Sequence, residues 1–299
     1  MRSRDIAAWA AAVALGCLGA AGCSRVSQAE APPGTGARLL ATAGFGARPL
    51  LDRRVQVGGS VMRATRGATP VETAYGGDFV STMLGLKSDL GAKRDWFYYV
   101  NGIEGEVGAR QRTLHRGETV WWDYRGWGGL MDVPAVVGSW PEPFLHGAGG
   151  DAPTVAADPP LAGALRDAGA RIGGGQRPWR VRVGSDAALR RRDPAWRRAA
   201  GAPVAAGLTV RIAGHGIEAL RTGGRGWAPV PTARALAAMV PTGSAPHDGA
   251  LLAVVGLDAA AARAAARRIA TDPSVLRLRY AVAFDAAGEP VAAGGRAAA

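Results

Sequence analysis

The sequence predicts an α+β protein: a small β-grasp-like domain followed by a second α/β or α+β domain. Three observations predict it. Short apolar runs with alternating faces fill residues 37–124, and a single helical pattern stands among them. Beyond residue 176 the chain turns Ala/Arg-rich, with strand and helix patterns in alternation. At 299 residues it is long enough to bury two cores.

Arg38–Thr42 and Arg48–Val57 read as strands, with Gly44 and Gly46 supplying the hairpin turn between them. Ser60 suits the N-cap of a short helix from Val61 to Ala68. Val71–Tyr75 and Phe79–Leu84 read as two more strands around a Gly76-Gly77 turn. In the next strand, Trp96, Tyr98 and Val100 share one face, while Phe97 and Tyr99 share the other. Asn101-Gly102 follows as a hairpin signal, because a type I′ turn needs positive φ at both central positions. In Arg116–Tyr124, Val120, Trp122 and Tyr124 point one way, and Trp121 and Asp123 the other. Trp127 and Trp140 fall in a Gly/Pro-rich tail ending at Phe144, so the first domain spans 37–145.

Residues 146–175, with the run Gly147–Pro160, read as a linker, and 176–299 as the second domain. Its expected strands are Trp179–Val183, Leu208–Ile212, Leu251–Val255 and Val275–Phe284. Its expected helices are Asp186–Ala199, Thr232–Met239 and Asp258–Ala270, the last capped by Asp258.

The N-terminus carries a different message. Met1–Arg4 is basic, Ile6–Leu18 is apolar, and Leu18-Gly-Ala-Ala-Gly-Cys23 closes on small residues and a thiol. These are the three parts of a secretory signal, and the apolar run is shorter than the ~20 residues that span a bilayer comfortably. The segment ending at Cys23 resembles a bacterial lipobox with Ala20 where Leu is usual. Residues 1–23 are therefore expected to be a lipoprotein signal peptide, Cys23 the acylated residue, and 24–36 a flexible polar tether. The expected location is the extracytoplasmic face of the cell membrane. Both cysteines, Cys17 and Cys23, lie in this leader, which excludes disulfides, Cys metal sites and Cys nucleophiles from the mature chain.

The formal charge of +12 is carried almost wholly by arginine. It favours anionic partners such as lipid head groups or wall polymers, and no motif supports nucleic acid. Arg177, Arg180, Arg182, Arg190, Arg191, Arg192, Arg197 and Arg198 form a basic cluster, either a solvated helix face or a surface for an anionic polymer or lipid. No catalytic role is expected. Glu104, Glu106, Asp123, Asp132 and Glu142 show no pairing by spacing. Gly214-His-Gly-Ile-Glu-Ala219 lacks the helix that a dinucleotide site needs, and no metal-ligand motif occurs. The aromatics carry the rest. Trp96, Tyr98, Trp122 and Tyr124 are expected in the core. Tyr75, Phe97, Tyr99, Asn101, Trp121 and Trp127 are the ligand-binding candidates, and which sheet face is outward stays open.

Tyr75-Gly-Gly77, Trp96-Phe-Tyr-Tyr-Val-Asn-Gly102 and Gly117-Glu-Thr-Val-Trp-Trp-Asp-Tyr124 together resemble a known bacterial family. It is the domain of unknown function related to the C-terminal domain of transcobalamin and intrinsic factor, placed with the soluble-ligand-binding β-grasp domains. The resemblance covers about residues 37–130. It implies a non-catalytic binding domain, with cobalamin or another corrinoid as the ligand class of its relatives. Two expectations follow. One is a membrane-tethered binding protein that presents an aromatic surface to a soluble ligand and works with an uptake system. The other is a cell-envelope module whose β-grasp domain packs on the second domain and binds a protein or polymer partner.

Overall fold

Ala37–Ala43 (β1) and Arg48–Val55 (β2) pair as an antiparallel hairpin across a turn in which Gly44, Phe45 and Gly46 all have positive φ. The computed structural model describes residues 35–175 and 177–296, so Cys23, the leader and most of the tether lie outside the described residues. Val61–Ala68 (α1) follows, with the Ser60 hydroxyl accepting from the Arg63 amide at 3.2 Å, as its sequence signal requires. Val71–Ala74 (β3), Phe79–Met83 (β4) and Leu86–Lys87 (β5) make a small antiparallel sheet of their own. Arg94–Val100 (β6) and Ile103–Glu104 (β7) close over Asn101-Gly102, at φ 53° and 81°. Thr119–Gly126 (β8) then returns between β1 and β6. The order β2-β1-β8-β6-β7, with β8 parallel to β1 and antiparallel to β6, is that of a β-grasp sheet.

The chain crosses next to a larger sheet, and the segment 146–175 is not a linker. It contributes Thr154–Ala157 (β9), Leu161–Asp167 (α2) and Arg171–Ile172 (β10). Val155, Leu161 and Leu165 are fully buried, and these few apolar side chains dock the segment despite its Gly/Pro content. Phe144, from the Gly/Pro-rich tail, is buried in the same core.

Arg180–Ser185 (β11) leads into Asp186–Arg192 (α3) and Pro194–Gly201 (α4). The single helix expected over Asp186–Ala199 is broken because Pro194 has no amide hydrogen to donate, and Asp193 caps the new start. Val210–Ala213 (β12), Gly216–Leu220 (β13) and Trp227–Pro229 (β14) form a three-stranded meander. Ala235–Pro241 (β15) is a strand where a helix over Thr232–Met239 was expected. Its Ala-rich sequence favours helix in isolation. Here it lies between Ala250–Gly256 (β16) and Val282–Phe284 (β17), and six of its residues are buried, so tertiary pairing overrides propensity. Ala259–Thr271 (α5) is capped by Asp258 as expected. Of the strand expected over Val275–Phe284, only β17 is extended; Pro273–Leu276 is a 3-10 turn, and Pro290–Ala293 (β18) ends the sheet.

The large sheet runs β10-β9-β11-β16-β15-β17-β18. Alternation along β16 serves both of its faces: Leu252 and Val254 pack with α2 and α5, while Leu251, Ala253 and Val255 pack with α4 and the meander. The protein is thus α+β, built on several sheets. The β-grasp sheet packs α1 on one face and residues of the C-terminal half on the other.

Candidate functional site

Tyr99 and Trp121 face each other across β6 and β8, and neither exposes any surface. Tyr280, just before β17, stands edge-on to both, with ring centroids at 5.6 and 5.4 Å, and Phe45 packs against Tyr280 at 5.1 Å. A buried polar chain runs through this aromatic cluster. Trp121 Nε1 donates to Thr42 Oγ1 at 2.7 Å, and that hydroxyl donates to Asp123 Oδ1 at 2.5 Å. Asp123 also accepts from the Phe45 and Gly46 amides at 2.9 and 3.2 Å and from the Tyr280 hydroxyl at 3.0 Å. Complete burial raises the Asp123 carboxyl above its ordinary range, and the hydrogen bonds from Thr42, Tyr280 and Gly46 oppose that rise.

Beside it, the Arg125 guanidinium lies over the Phe97 ring at 3.7 Å and donates to the Leu130 and Met131 carbonyls at 2.9 and 2.8 Å. Glu104 Oε1 sits 3.8 Å from Arg125. Burial pushes the Glu104 carboxyl up to about 7, against the pull of Arg125 and with a smaller push from Asp132.

This geometry corrects the candidate set. Tyr99 and Trp121 are core residues of the seam between the two sheets, because the C-terminal half supplies Tyr280 to cover them. Phe97 is half-buried under Arg125. Asn101 is fully buried as a turn residue: its Nδ2 donates to the Gly147 carbonyl, and its Oδ1 accepts from the Thr119 amide, both at 2.8 Å. Trp127 is half-buried, with the Lys93 ammonium 5.7 Å from its ring.

Tyr75 is the one candidate presented to solvent, at 78% exposure. Phe79, which opens β4, is 60% exposed and meets Tyr75 edge to face with centroids 5.7 Å apart. The backbone under the pair is held. Tyr75, Gly76 and Gly77 all have positive φ, and the Arg110 guanidinium donates to the Gly76 carbonyl. Two glycines at such angles cost nothing sterically, which lets the turn throw the Tyr75 ring outward. Sequence reading took Phe79 only as part of a strand. Its signal was alternation: Val80 and Met83 are buried, so Phe79 points the opposite way from Val80.

A cleft of about 520 Å³ opens between the two halves, lined by Ile103, Glu104, Glu106, Arg112, Trp179 and His247 among others. His247 and Glu106 form an ion pair across it, and donation from the imidazole to the Glu106 carboxylate raises His247 above its ordinary value. The predicted basic cluster is partly neutralised, because Arg180 pairs with Asp193, Arg190 with Asp186, and Arg182 and Arg192 both pair with Asp158. Among the described residues no three His, Cys, Asp or Glu side chains converge on a metal position, and no helix is long and apolar enough to cross a membrane. A search of curated proteins gave no match. Residues 58–126, from the turn before α1 to the end of β8, match the family described as Domain of unknown function (DUF4430).

Proposed function

We propose that the chain is a lipid-anchored extracytoplasmic binding protein, tethered through Cys23, whose β-grasp region carries a soluble-ligand contact at the Tyr75–Phe79 edge, on the turn of its small β3–β4–β5 sheet. The observation that carries this reading is the edge-to-face, solvent-exposed aromatic pair on a backbone pinned by Arg110. A rigid aromatic edge offers large contact area at little entropic cost, and suits a ligand with a flat apolar face and polar rim. The transcobalamin-like pattern makes a corrinoid the first ligand class to test. Burial of Tyr99 and Trp121 moves the proposed contact away from the sheet face and onto this edge.

A second reading has its own support. Tyr75 and Phe79 form an exposed aromatic patch of the kind that protein interfaces centre on, so an uptake-system or envelope protein is the alternative occupant.

Calorimetric titration of the full chain with cobalamin and a panel of wall glycans tests the first reading. The expected result is saturable heat that disappears in Tyr75→Ala and Phe79→Ala while the melting temperature holds. No heat with any of these ligands at high micromolar concentration removes the soluble-ligand reading and leaves the protein partner. The anchor is tested separately: a clickable fatty acid should label the chain and fail to label Cys23→Ala.

A further inference from the structure

On the side of the seam where β2 approaches the chain before β17, a groove of about 570 Å³ is lined by Leu50, Leu51, Leu278, Arg277, Arg279 and Arg296, among others. Arg279 and Arg296 are half-buried there. Among the described residues neither guanidinium donates a side-chain hydrogen bond or joins an ion pair, and the buried Asp123, already held by its own donors, acts on Arg296 only through space. The groove's carboxylate, Asp52, is already engaged: it accepts from Arg38 at 2.9 and 2.6 Å and from Arg277 at 3.1 Å.

Burial lowers both arginines from their ordinary range; Arg296 lowers Arg279 further by like-charge repulsion, while Asp123 partly opposes the lowering of Arg296. Arginine does not relieve such a cost by losing its proton, so two half-buried guanidiniums facing one groove remain an unmet positive charge. A structural role would have supplied an acid or carbonyls, as Asp193 does for Arg180 and the Leu130 and Met131 carbonyls do for Arg125. Leu40, Pro49, Leu50, Leu51 and Leu278 supply the apolar part of the groove's wall, and Ser274 adds a hydroxyl. Gly46 belongs to it, where a Cβ would collide with the Leu278 carbonyl.

We propose that this groove is a binding site for a phosphate group, clasped by Arg279 and Arg296, with an apolar substituent lying on Leu50, Leu51 and Leu278. Paired guanidiniums present several fixed donors to a tetrahedral oxyanion, the geometry in which charge-assisted hydrogen bonds are strongest. The phosphate is either free, as inorganic phosphate or a soluble ester, or the head group of a lipid. The site is separate from the Tyr75–Phe79 edge, and either stands if the other fails.

The test is calorimetry on the full chain at constant ionic strength with three probes: inorganic phosphate, dihexanoyl phosphatidylglycerol below its micellar concentration, and dihexanoyl phosphatidylcholine. Saturable phosphate binding is expected, weakened roughly tenfold or more in R279Q and in R296Q and unchanged in R191Q on the distant α3. R279Q and R296Q should melt at or above the parent temperature without phosphate, because each removes the repulsion. They should also lose the phosphate-induced rise in melting temperature that the parent shows. Tighter binding of the phosphatidylglycerol than of phosphate assigns the lipid source, and equal or weaker binding assigns the free anion; both uphold the site. Absence of saturable binding by both phosphate and phosphatidylglycerol, or binding that R191Q weakens as much as R279Q and R296Q, overturns it.

Discussion

The two faces of the β-grasp sheet arise from the same two strands, yet different parts of the chain close them. On the α1 face, Trp96, Tyr98 and Trp122 pack with Val61, Met62 and Ala64, and Trp122 Nε1 donates to Thr65 Oγ1 at 3.0 Å. Every partner on this face comes from the β-grasp region itself. On the other face, Tyr99 and Trp121 meet Tyr280 and Leu220, and Asp123 takes a hydrogen bond from a hydroxyl 157 residues away. The first face is a local core. The second is an internal interface with a buried carboxylate at its centre, and such a carboxylate is tolerated only while all its donors are in place.

The largest effect is expected when one tryptophan is removed from each face. Trp121→Ala and Trp122→Ala should each cost about 3–5 kcal/mol in urea unfolding. Trp121→Ala should in addition split the transition in two, because the β-grasp sheet then loosens from the large sheet, whereas Trp122→Ala should keep its single transition. Identical single transitions for both variants would erase the distinction between local core and interface.

Next in size is Asp123→Ala. It leaves the Thr42 and Tyr280 hydroxyls and the Phe45 and Gly46 amides without their acceptor, at a cost of about 3 kcal/mol by thermal or chemical unfolding. Tyr280→Phe removes one donor and should cost about 1 kcal/mol. A loss for Asp123→Ala no larger than that for Tyr280→Phe would show that the carboxylate is dispensable to the seam.

A smaller effect is expected at Glu104. Its folded carboxyl titrates at about 7, above the ordinary 4.5, so the native state holds a proton that the unfolded chain has already lost. Its contribution to stability is therefore complete below about 4.5 and is lost as pH rises through about 7. Melting temperatures measured from pH 4.5 to 8 should fall across this window, and Glu104→Gln should flatten that fall. A parent and variant with parallel profiles would remove Glu104 from the pH response.

The smallest stability effect belongs to the exposed edge. Tyr75→Ala and Phe79→Ala should change unfolding free energy by no more than about 0.5 kcal/mol, since neither ring is buried. A larger loss would place the pair in the architecture of the β3–β4 turn and weaken its reading as a contact surface.

Much of the β-grasp region was legible because its signals are local. Ser60, the Gly44/Gly46 turn, Asn101-Gly102 and the two alternating aromatic strands each act within a few residues, and each element formed where its signal stood. The large sheet was less legible for the opposite reason. β15 is an Ala-rich helix former held extended by β16 and β17, and β9 and α2 are docked by a few buried apolar side chains in a Gly/Pro-rich run. Of the six candidate contacts, Tyr75 alone stayed at the surface. Aromatic side chains signal burial and binding alike, and strand alternation assigns a face without saying what covers it.

The α+β class, the caps, the turns and the two-faced aromatic strands are written locally in the chain, because they follow from backbone sterics, side-chain periodicity and short-range hydrogen bonding. Long-range packing set the rest: Tyr280 seals the Tyr99–Trp121 face, Phe79 joins Tyr75 in the open, and Arg279 and Arg296 share a groove whose carboxylate, Asp52, is taken by Arg38 and Arg277. Those outcomes depend on which distant segments meet, and that is set by the summed burial of whole sheets rather than by any signal at the residues concerned.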